Sequence, residues 1–508
     1  MSDSAGTTGT TTTTDTATDA ATGTEHTGLQ RTMEQRHLVM IALGGVIGSG
    51  LFVSSGYTIG EAGPLGAVLA YVLGALIAWM VMCCLGELAV VYPVSGGFHI
   101  YATRNLGPAW GFATAWLYWL CWAVALGSEF TASGILMQRW FPGIDVWVWC
   151  VVFGVLLFTL NAVSARVFGE TEFWLSLIKV VAVLALIIVG AATIVGINPA
   201  ADGPTPWLTN FGTGHGLFPE GLGSMLVVTL GVFYAFSGTE LIGVAAGEAK
   251  NPENVIPKAI RTAVLRLTVF FVGAILVIAA LVPYEDAGLD ESPFVTVFDI
   301  AGISGMGDVM NFVIIAALLS AGNSGLFSCT RMLHSMAAEG QAPKAFARTT
   351  TRGIPMLALC VSMVGGVASL LSSEIAPGSL YMILVSIAGF AVVAVWIAIA
   401  ASQLSFRRRF AAAGGEVAGL HYRAPASRWL AWISMIALVA SLIGVGFDAD
   451  QRQALTIGVP FTVICLVYYR IRHGAGCFRP QGRDAELDAA VARSTTAVTT
   501  ATAAHPQK

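Results

Sequence analysis

The sequence predicts an all-α polytopic membrane protein with twelve transmembrane helices, and three observations predict it. Only 11% of the 508 residues are charged against 56% hydrophobic, with a mean hydropathy of +0.74. A soluble domain carries about 25% charged residues, so this chain has too few to cover a water-exposed surface. Apolar runs of about 20 residues, enough for a helix to cross the hydrocarbon core, recur near 37–58, 64–90, 108–137, 145–165, 173–197, 222–246, 262–283, 308–336, 354–372, 379–403, 428–447 and 455–473. The third observation is the placement of Lys and Arg. With both termini cytoplasmic, the outer loops hold Arg139 and Arg452, Lys179 lies inside a span, and every other one of the 26 falls at the inner side. That bias sets a multi-pass protein of the cell (plasma) membrane with N- and C-termini inside.

Residues 1–28 form a Thr/Ala/Gly/Asp tract with almost no apolar bulk, so burial cannot offset its ordering entropy and disorder is expected. Residues 479–508 read the same way, leaving one domain over 29–478. The N-terminus lacks a basic region followed by a short apolar one, so no cleavable signal peptide is expected.

Two of the apolar runs are interrupted. The first carries Gly44-Gly45-Val46-Ile47-Gly48-Ser49-Gly50, and the sixth carries Ala235-Phe236-Ser237-Gly238-Thr239-Glu240. A broken helix at membrane depth is tolerated only where it lines a cavity or is buried in protein. A matched pair of such breaks marks the binding site of a secondary transporter. The two breaks are offset by five spans, and the sixth crosses opposite to the first. This predicts inverted five-helix repeats over 37–197 and 222–403, with two appended helices over 428–473. Either Gly-rich stretch alone would be read as readily as helix packing; the symmetric pair favours a site.

Other classes find little support. No metal-ligand spacing, nucleophile motif or sizeable soluble domain suggests an enzyme or receptor, and no filter-like repeat suggests a channel. The phosphate-loop pattern of an ATP-driven pump is missing, so the energy source is expected to be an ion gradient, with no cofactor, no metal and no nucleic-acid partner. The eight cysteines show no C-x-x-C spacing; seven lie in or near apolar runs, where Cys behaves as a small hydrophobe.

The interrupted spans resemble the amino acid transporter branch of the amino acid–polyamine–organocation superfamily, with its LeuT-like 5+5 fold. Ala245-Ala246-Gly247-Glu248, Asn251-Pro252, Ile256-Pro257-Lys258-Ala259, Ser320-Ala321-Gly322-Asn323-Ser324 and Thr330-Arg331-Met332-Leu333 carry the same resemblance, which covers roughly 30–475. Within that branch the chain is most similar to the S-methylmethionine permeases, through Arg36-His37-Leu38-Val39-Met40, Trp116-Leu117-Tyr118-Trp119, Ala123-Val124-Ala125-Leu126-Gly127-Ser128, Trp147-Val148-Trp149-Cys150-Val151-Val152-Phe153 and His421-Tyr422-Arg423-Ala424-Pro425. Lysine permeases share much of the pattern. Where a small residue is expected in the S-methylmethionine type, this chain has Glu129. The resemblance implies import of an amino acid by proton symport with alternating access, S-methylmethionine first, lysine or another cationic amino acid next, and a broader-range permease or exchanger third.

Unwinding of the first interrupted span frees N–H groups at Ser49 and Gly50, where donors and helix dipole favour the substrate carboxylate. Glycine there lets a ligand approach the backbone. The resemblance assigns the substrate ammonium to freed carbonyls of Val46, Tyr234 and Ser237, with Phe236 and Thr239 bordering the second break. Lys179 lies deep in a span, where an ammonium is costly and usually functional. Related proton-coupled transporters carry a lysine on span 5 in place of a sodium ion, which implies proton coupling; the alternative is a lysine snorkelling to the interface. Glu240 would read a cationic side chain, accept the coupling proton or brace the unwound segment. Glu129, among Ser128, Thr131 and Ser133, either faces the site and favours a cationic substrate or bonds another helix. Glu248 and Lys258 are expected as an inner gate or a solvated loop. Ser320, Asn323 and Ser324 either hold Lys179 or join helices, and Trp119, Trp122, Phe233 and Phe236 either cap the ligand or pack.

Overall fold

The structure, a computed structural model, describes residues 44–94, 97–163, 165–197, 209–211, 218–219, 221–244, 251–351, 353–426, 428–448, 451–480, 482 and 485–504. The expected disordered segment 1–28 lies outside them, as does the start of the first expected span. Most of the described residues are helical, with no strand among them.

Residues 44–46 are helical, Ile47 and Gly48 are not, and the helix resumes as α1, Ser49–Phe52. Helix α2, Ser54–Val91, covers what the sequence divides into two spans. No loop separates them. Pro64 has no N–H to donate and disfavours α geometry in the residue before it; Gly63 meets that demand with φ +70° and turns the chain between two helical segments. Helices α3 (Phe98–Asn105), α4 (Pro108–Met137), α5 (Val146–Val163) and α6 (Ala165–Ile194) follow.

The sixth expected span is divided into α7 (Ser224–Val227), α8 (Thr229–Ala235) and α9 (Leu241–Val244), with residues 236–240 out of helix. Then come α10 (Pro252–Leu281), the short α11 (Pro293–Ile300) and α12 (Met306–Ala338). Helix α11 was not expected. Ser292 caps it by accepting the Phe294 N–H at 3.3 Å, a standard N-cap role for serine, and donates its hydroxyl to the Phe52 carbonyl at 2.6 Å. The ninth expected span is α13 (Met356–Ser362), α14 (Val364–Ala368) and a 3-10 turn, Ser369–Ser373. Helices α15 (Pro377–Ala412), α16 (Arg428–Val445), α17 (Arg452–His473) and α18 (Ala485–Ala504) complete the chain.

Eight helices among the described residues are long and apolar enough to cross a membrane; two shorter apolar ones, Val146–Ala162 and Trp429–Val445, fall in the expected fourth and eleventh spans. The remaining two expected spans are the interrupted ones. Helices α4 and α15 pack together at the centre, with α12 against α4 and α10 against α2. The most apolar stretch of α4 is 83% buried, whereas that of α17 is 17% buried, and Ile464 and Ile471 stand on its outer surface. Lipid tails solvate such a face as water cannot.

The expected disordered tail over 479–508 is corrected in part. Residues 485–504 are helical, with Leu487 and Ala490 buried, and Ser494 Oγ accepts the Glu416 N–H at 3.3 Å. Alanines favour the helix, and the buried contacts supply what composition alone does not reveal.

Candidate functional site

The two interrupted segments lie backbone against backbone. A Cβ on Gly50 would stand 2.7 Å from the Ala235 Cα, and one on Gly238 would stand 3.1 Å from the Gly45 carbonyl. Gly238 also has φ +96°, which strains any residue with a Cβ. Close approach therefore requires glycine in both breaks.

Glu129 on α4 reaches this crossing. Its carboxylate accepts the Ser49 N–H, with both oxygens at 3.2 Å, and the Ser49 hydroxyl at 3.0 Å. Tyr234, in the last turn of α8, donates to the same carboxylate at 3.2 Å and bonds Ser128 at 2.9 Å. One carboxylate thus joins donors from both breaks. The Ser49 N–H that the sequence assigns to a substrate carboxylate is occupied by a side-chain carboxylate. The helices that Glu129 bonds are thus the two beside the breaks, through Ser49 and Tyr234.

Glycine explains the reach. A Cβ on Gly48 would lie 2.7 Å from Glu129 Oε1 and 3.1 Å from the Ala321 Cβ, so the small residue leaves room for the carboxylate between α4 and α12. Two hydroxyls missed by the sequence reading complete the first break: Tyr381 donates to the Ser49 carbonyl at 2.9 Å and Tyr71 to the Gly50 carbonyl at 3.2 Å. Both lie in apolar runs, where a Tyr is ordinarily read as packing. Their polar ends would be costly to bury without partners, which is the signal that could have found them.

Lys179 is fully buried, and its ammonium donates to the Gly44 carbonyl at 2.7 Å. An unbroken helix would satisfy that carbonyl with the N–H of residue 48; the break removes that donor and the lysine provides one. The snorkelling alternative does not describe this geometry. Glu240 is likewise buried and braces its own break, accepting the Gly238 N–H at 3.0 Å and the Trp396 indole N–H at 3.3 Å.

The remaining expected positions are distributed more widely. Val46 lies in the crossing beside Gly238. The Tyr234 carbonyl, expected to be free for an ammonium, accepts the Ser237 N–H at 2.9 Å, because the helix tightens into a 3-10 turn as it ends. Thr239 donates to the Phe236 carbonyl at 3.0 Å, while the Phe236 ring packs on Phe271 and Tyr71. Trp119 bonds Ser362, Trp122 covers Gly325, and Phe233 meets Trp396, so these aromatics pack between helices. Asn323 accepts from Asn161 at 2.7 Å. Lys258 is exposed on α10, and Glu248, its expected gate partner, lies outside the described residues.

Charged groups also join the ends of the bundle. At one end Arg139 contacts Glu291, Asp299 and Asp308, joining α4 to α11 and α12. At the other, buried Glu87 accepts Arg407 at 2.5 Å, Gln403 at 2.9 Å and the Ala424 N–H at 2.7 Å.

The chain is similar to several known permeases. The amino-acid permease RocE of Bacillus subtilis (strain 168) is 50% identical over 444 residues, 87% of this chain and 95% of that protein. The lysine-specific permease LysP of Escherichia coli (strain K12) is 39% identical over 470 residues, 89% and 95% of the two chains. The gamma-aminobutyric acid permease of Bacillus subtilis (strain 168) is 36% identical over 444 residues, 87% and 94% of the two. Residues 37–474 match the amino acid permease family, and the chain belongs to that family.

Proposed function

We propose that this permease imports an amino acid together with protons, by alternating access around the crossing of the two breaks. The reading includes twelve crossings in a 5+5 inverted arrangement with two appended helices, and both termini in the cytoplasm. The observation that carries it is the Glu129 carboxylate seated on the Ser49 N–H, with Tyr234 joining from the second break. Donors that hold one carboxylate suit the carboxylate of an amino acid. Two carboxylates sharing one site do not both stay ionised readily, so entry of the substrate requires Glu129 to take a proton or turn to a substrate cation. Either way, charge on the substrate and charge on the protein are linked.

Lys179 is the proposed coupling group, because protonation decides whether it holds the Gly44 carbonyl as an ammonium or as a weaker neutral donor. Glu240 braces the second break in this scheme. Glu248 and Lys258 remain the proposed inner-gate pair. For the substrate, the buried Glu129 favours a molecule with a second positive charge, which S-methylmethionine and lysine both carry. Similarity to a protein named as a lysine-specific permease supports the ammonium over the sulfonium. A broader range is the second reading, favoured by similarity to a permease named for γ-aminobutyric acid, which has a single amine.

The test is uptake of radiolabelled lysine into proteoliposomes with and without an imposed proton gradient, in competition with S-methylmethionine, γ-aminobutyric acid and neutral amino acids. Gradient-driven accumulation blocked by cationic competitors is expected. Accumulation indifferent to the gradient removes proton symport, and a flat competition profile removes the cationic preference.

A further inference from the structure

A cavity of about 900 Å³ lies far along the chain from the breaks, between the start of α4, the 339–346 connection after α12 and the last turns of α17. Its volume falls within the ordinary range for ligand pockets. Phe112, Trp116, Phe461 and Ile464 give it an apolar wall, and Lys344, Arg472 and His473 stand around it. The wall continues onto the outer face of α17, where Ile464, Val467 and Ile471 are exposed. The apolar wall therefore runs into an exposed apolar helix face, and cations stand on the polar side.

We propose that this groove binds an anionic phospholipid, with acyl chains on Phe461 and Ile464 and the phosphate held by Lys344 and Arg472. Cationic pockets between transmembrane helices at the membrane interface suit such headgroups. The carboxylate among the described lining residues, Glu339, is already partnered: Gln341, also on the lining, donates to it at 3.2 Å, Ser335 at 3.5 Å, and His99 Nε2 stands 3.8 Å away. The Trp116 indole N–H and the side-chain amide oxygen of Gln341 have no hydrogen-bond partner among the described residues, leaving a donor and an acceptor for the glycerol and ester region. Helix α18 does not fill the groove, since it packs on the 416–419 turn. Arg472 is oriented by its 2.8 Å bond to the Tyr468 hydroxyl, and His473 stacks on Tyr469.

The experiment is native mass spectrometry of the full chain released from detergent, with added phosphatidylglycerol, phosphatidylcholine or inorganic phosphate. Phosphatidylglycerol adducts are expected on the unaltered protein, with few from phosphatidylcholine and none from phosphate alone. Lys344→Gln with Arg472→Gln is expected to lower phosphatidylglycerol occupancy about tenfold or more. Ile464→Trp, which fills the apolar wall without changing charge, is expected to lower it as well and serves if the double variant fails to fold. Equal adducts from both lipids, unchanged occupancy in the variants, or equal binding of free phosphate overturns the proposal. So does a change in dimer content in place of a change in adducts, because the groove would then be an interface between two copies.

Discussion

Both carboxylate oxygens of Glu129 lie 3.2 Å from the backbone N–H of Ser49, across 80 residues of sequence. This pairing makes α4 a third participant in the proposed site, which the interrupted helices would otherwise form alone. It also gives Glu129 a testable role. Glu129→Gln keeps the size and one acceptor but removes the charge, and a charge-assisted bond contributes about 1.5–3 kcal/mol. Lysine uptake is expected to fall about tenfold or more relative to a neutral amino acid. A competition profile identical to that of the unaltered protein would remove Glu129 as selector.

Lys179→Met replaces the ammonium with an apolar chain of similar length and leaves the Gly44 carbonyl without this donor. Uphill uptake driven by a proton gradient is expected to disappear while exchange of internal for external substrate persists. Proteoliposomes preloaded with substrate separate the two. Accumulation at the normal level in this variant ends the assignment of coupling to Lys179.

The apolar runs and the positive-inside bias made the helical class legible, because both are requirements of the lipid phase and act on nearly every residue. The breaks were legible because glycine clusters are poor helix formers. What remained hidden is instructive. The pairing of Ser49 with Glu129 and of Gly44 with Lys179 depends on rotations of α4 and α6, which no period within one helix sets in a chain apolar all round. Tyr71, Tyr381 and Trp396 carry no sequence signal of their own, being single aromatics in apolar runs; the structure shows where each polar end goes. The kink at Gly63 falls at the expected start of the second span, and it needs no intervening loop because a glycine–proline pair can redirect a helix within a residue.

Gly50 and Gly238 test the crossing itself. Gly238→Ala places a Cβ at φ +96° and 3.1 Å from the Gly45 backbone and a Val46 methyl. A non-glycine residue in a sparsely populated backbone region costs about 1–3 kcal/mol. Gly50→Ala meets backbone atoms that cannot yield without separating the helices. Both are expected to lower uptake, with Gly50→Ala the more severe. Kinetics in vesicles, normalised to folded protein by size-exclusion chromatography, check it; normal rates in both variants mean that the breaks do not need this close approach.

The Glu87–Arg407 pair contributes to stability in a different way. Removing one partner of a buried pair costs about 3–5 kcal/mol, because the other charge is left uncompensated, whereas replacing both with apolar groups is often neutral. Arg407→Met is therefore expected to lower the melting temperature in detergent strongly. The double variant Glu87→Leu with Arg407→Met is expected to recover much of the loss. No recovery would show that the hydrogen bonds from Gln403 and the Ala424 N–H to Glu87, and not the charge balance, dominate.

Glu339 follows the end of α12, and the imidazole of His99 beside it holds its carboxyl below the ordinary value of 4.5. A depressed carboxyl stabilises the folded state fully above the unfolded value and loses that contribution as pH falls through the lower folded value. The tie between α3 and α12 is therefore expected to weaken on acidification below about 4.5 and to be insensitive to pH between 6 and 8 through this carboxyl. The Glu339 side chain is 40% exposed, so solvent screening keeps the effect modest. Glu339→Gln removes the titrating group, and its melting temperature is expected to change less with acid than that of the unaltered chain. Parallel melting curves for the two proteins from pH 6 down to pH 3 would show that the His99–Glu339 contact does not support the fold.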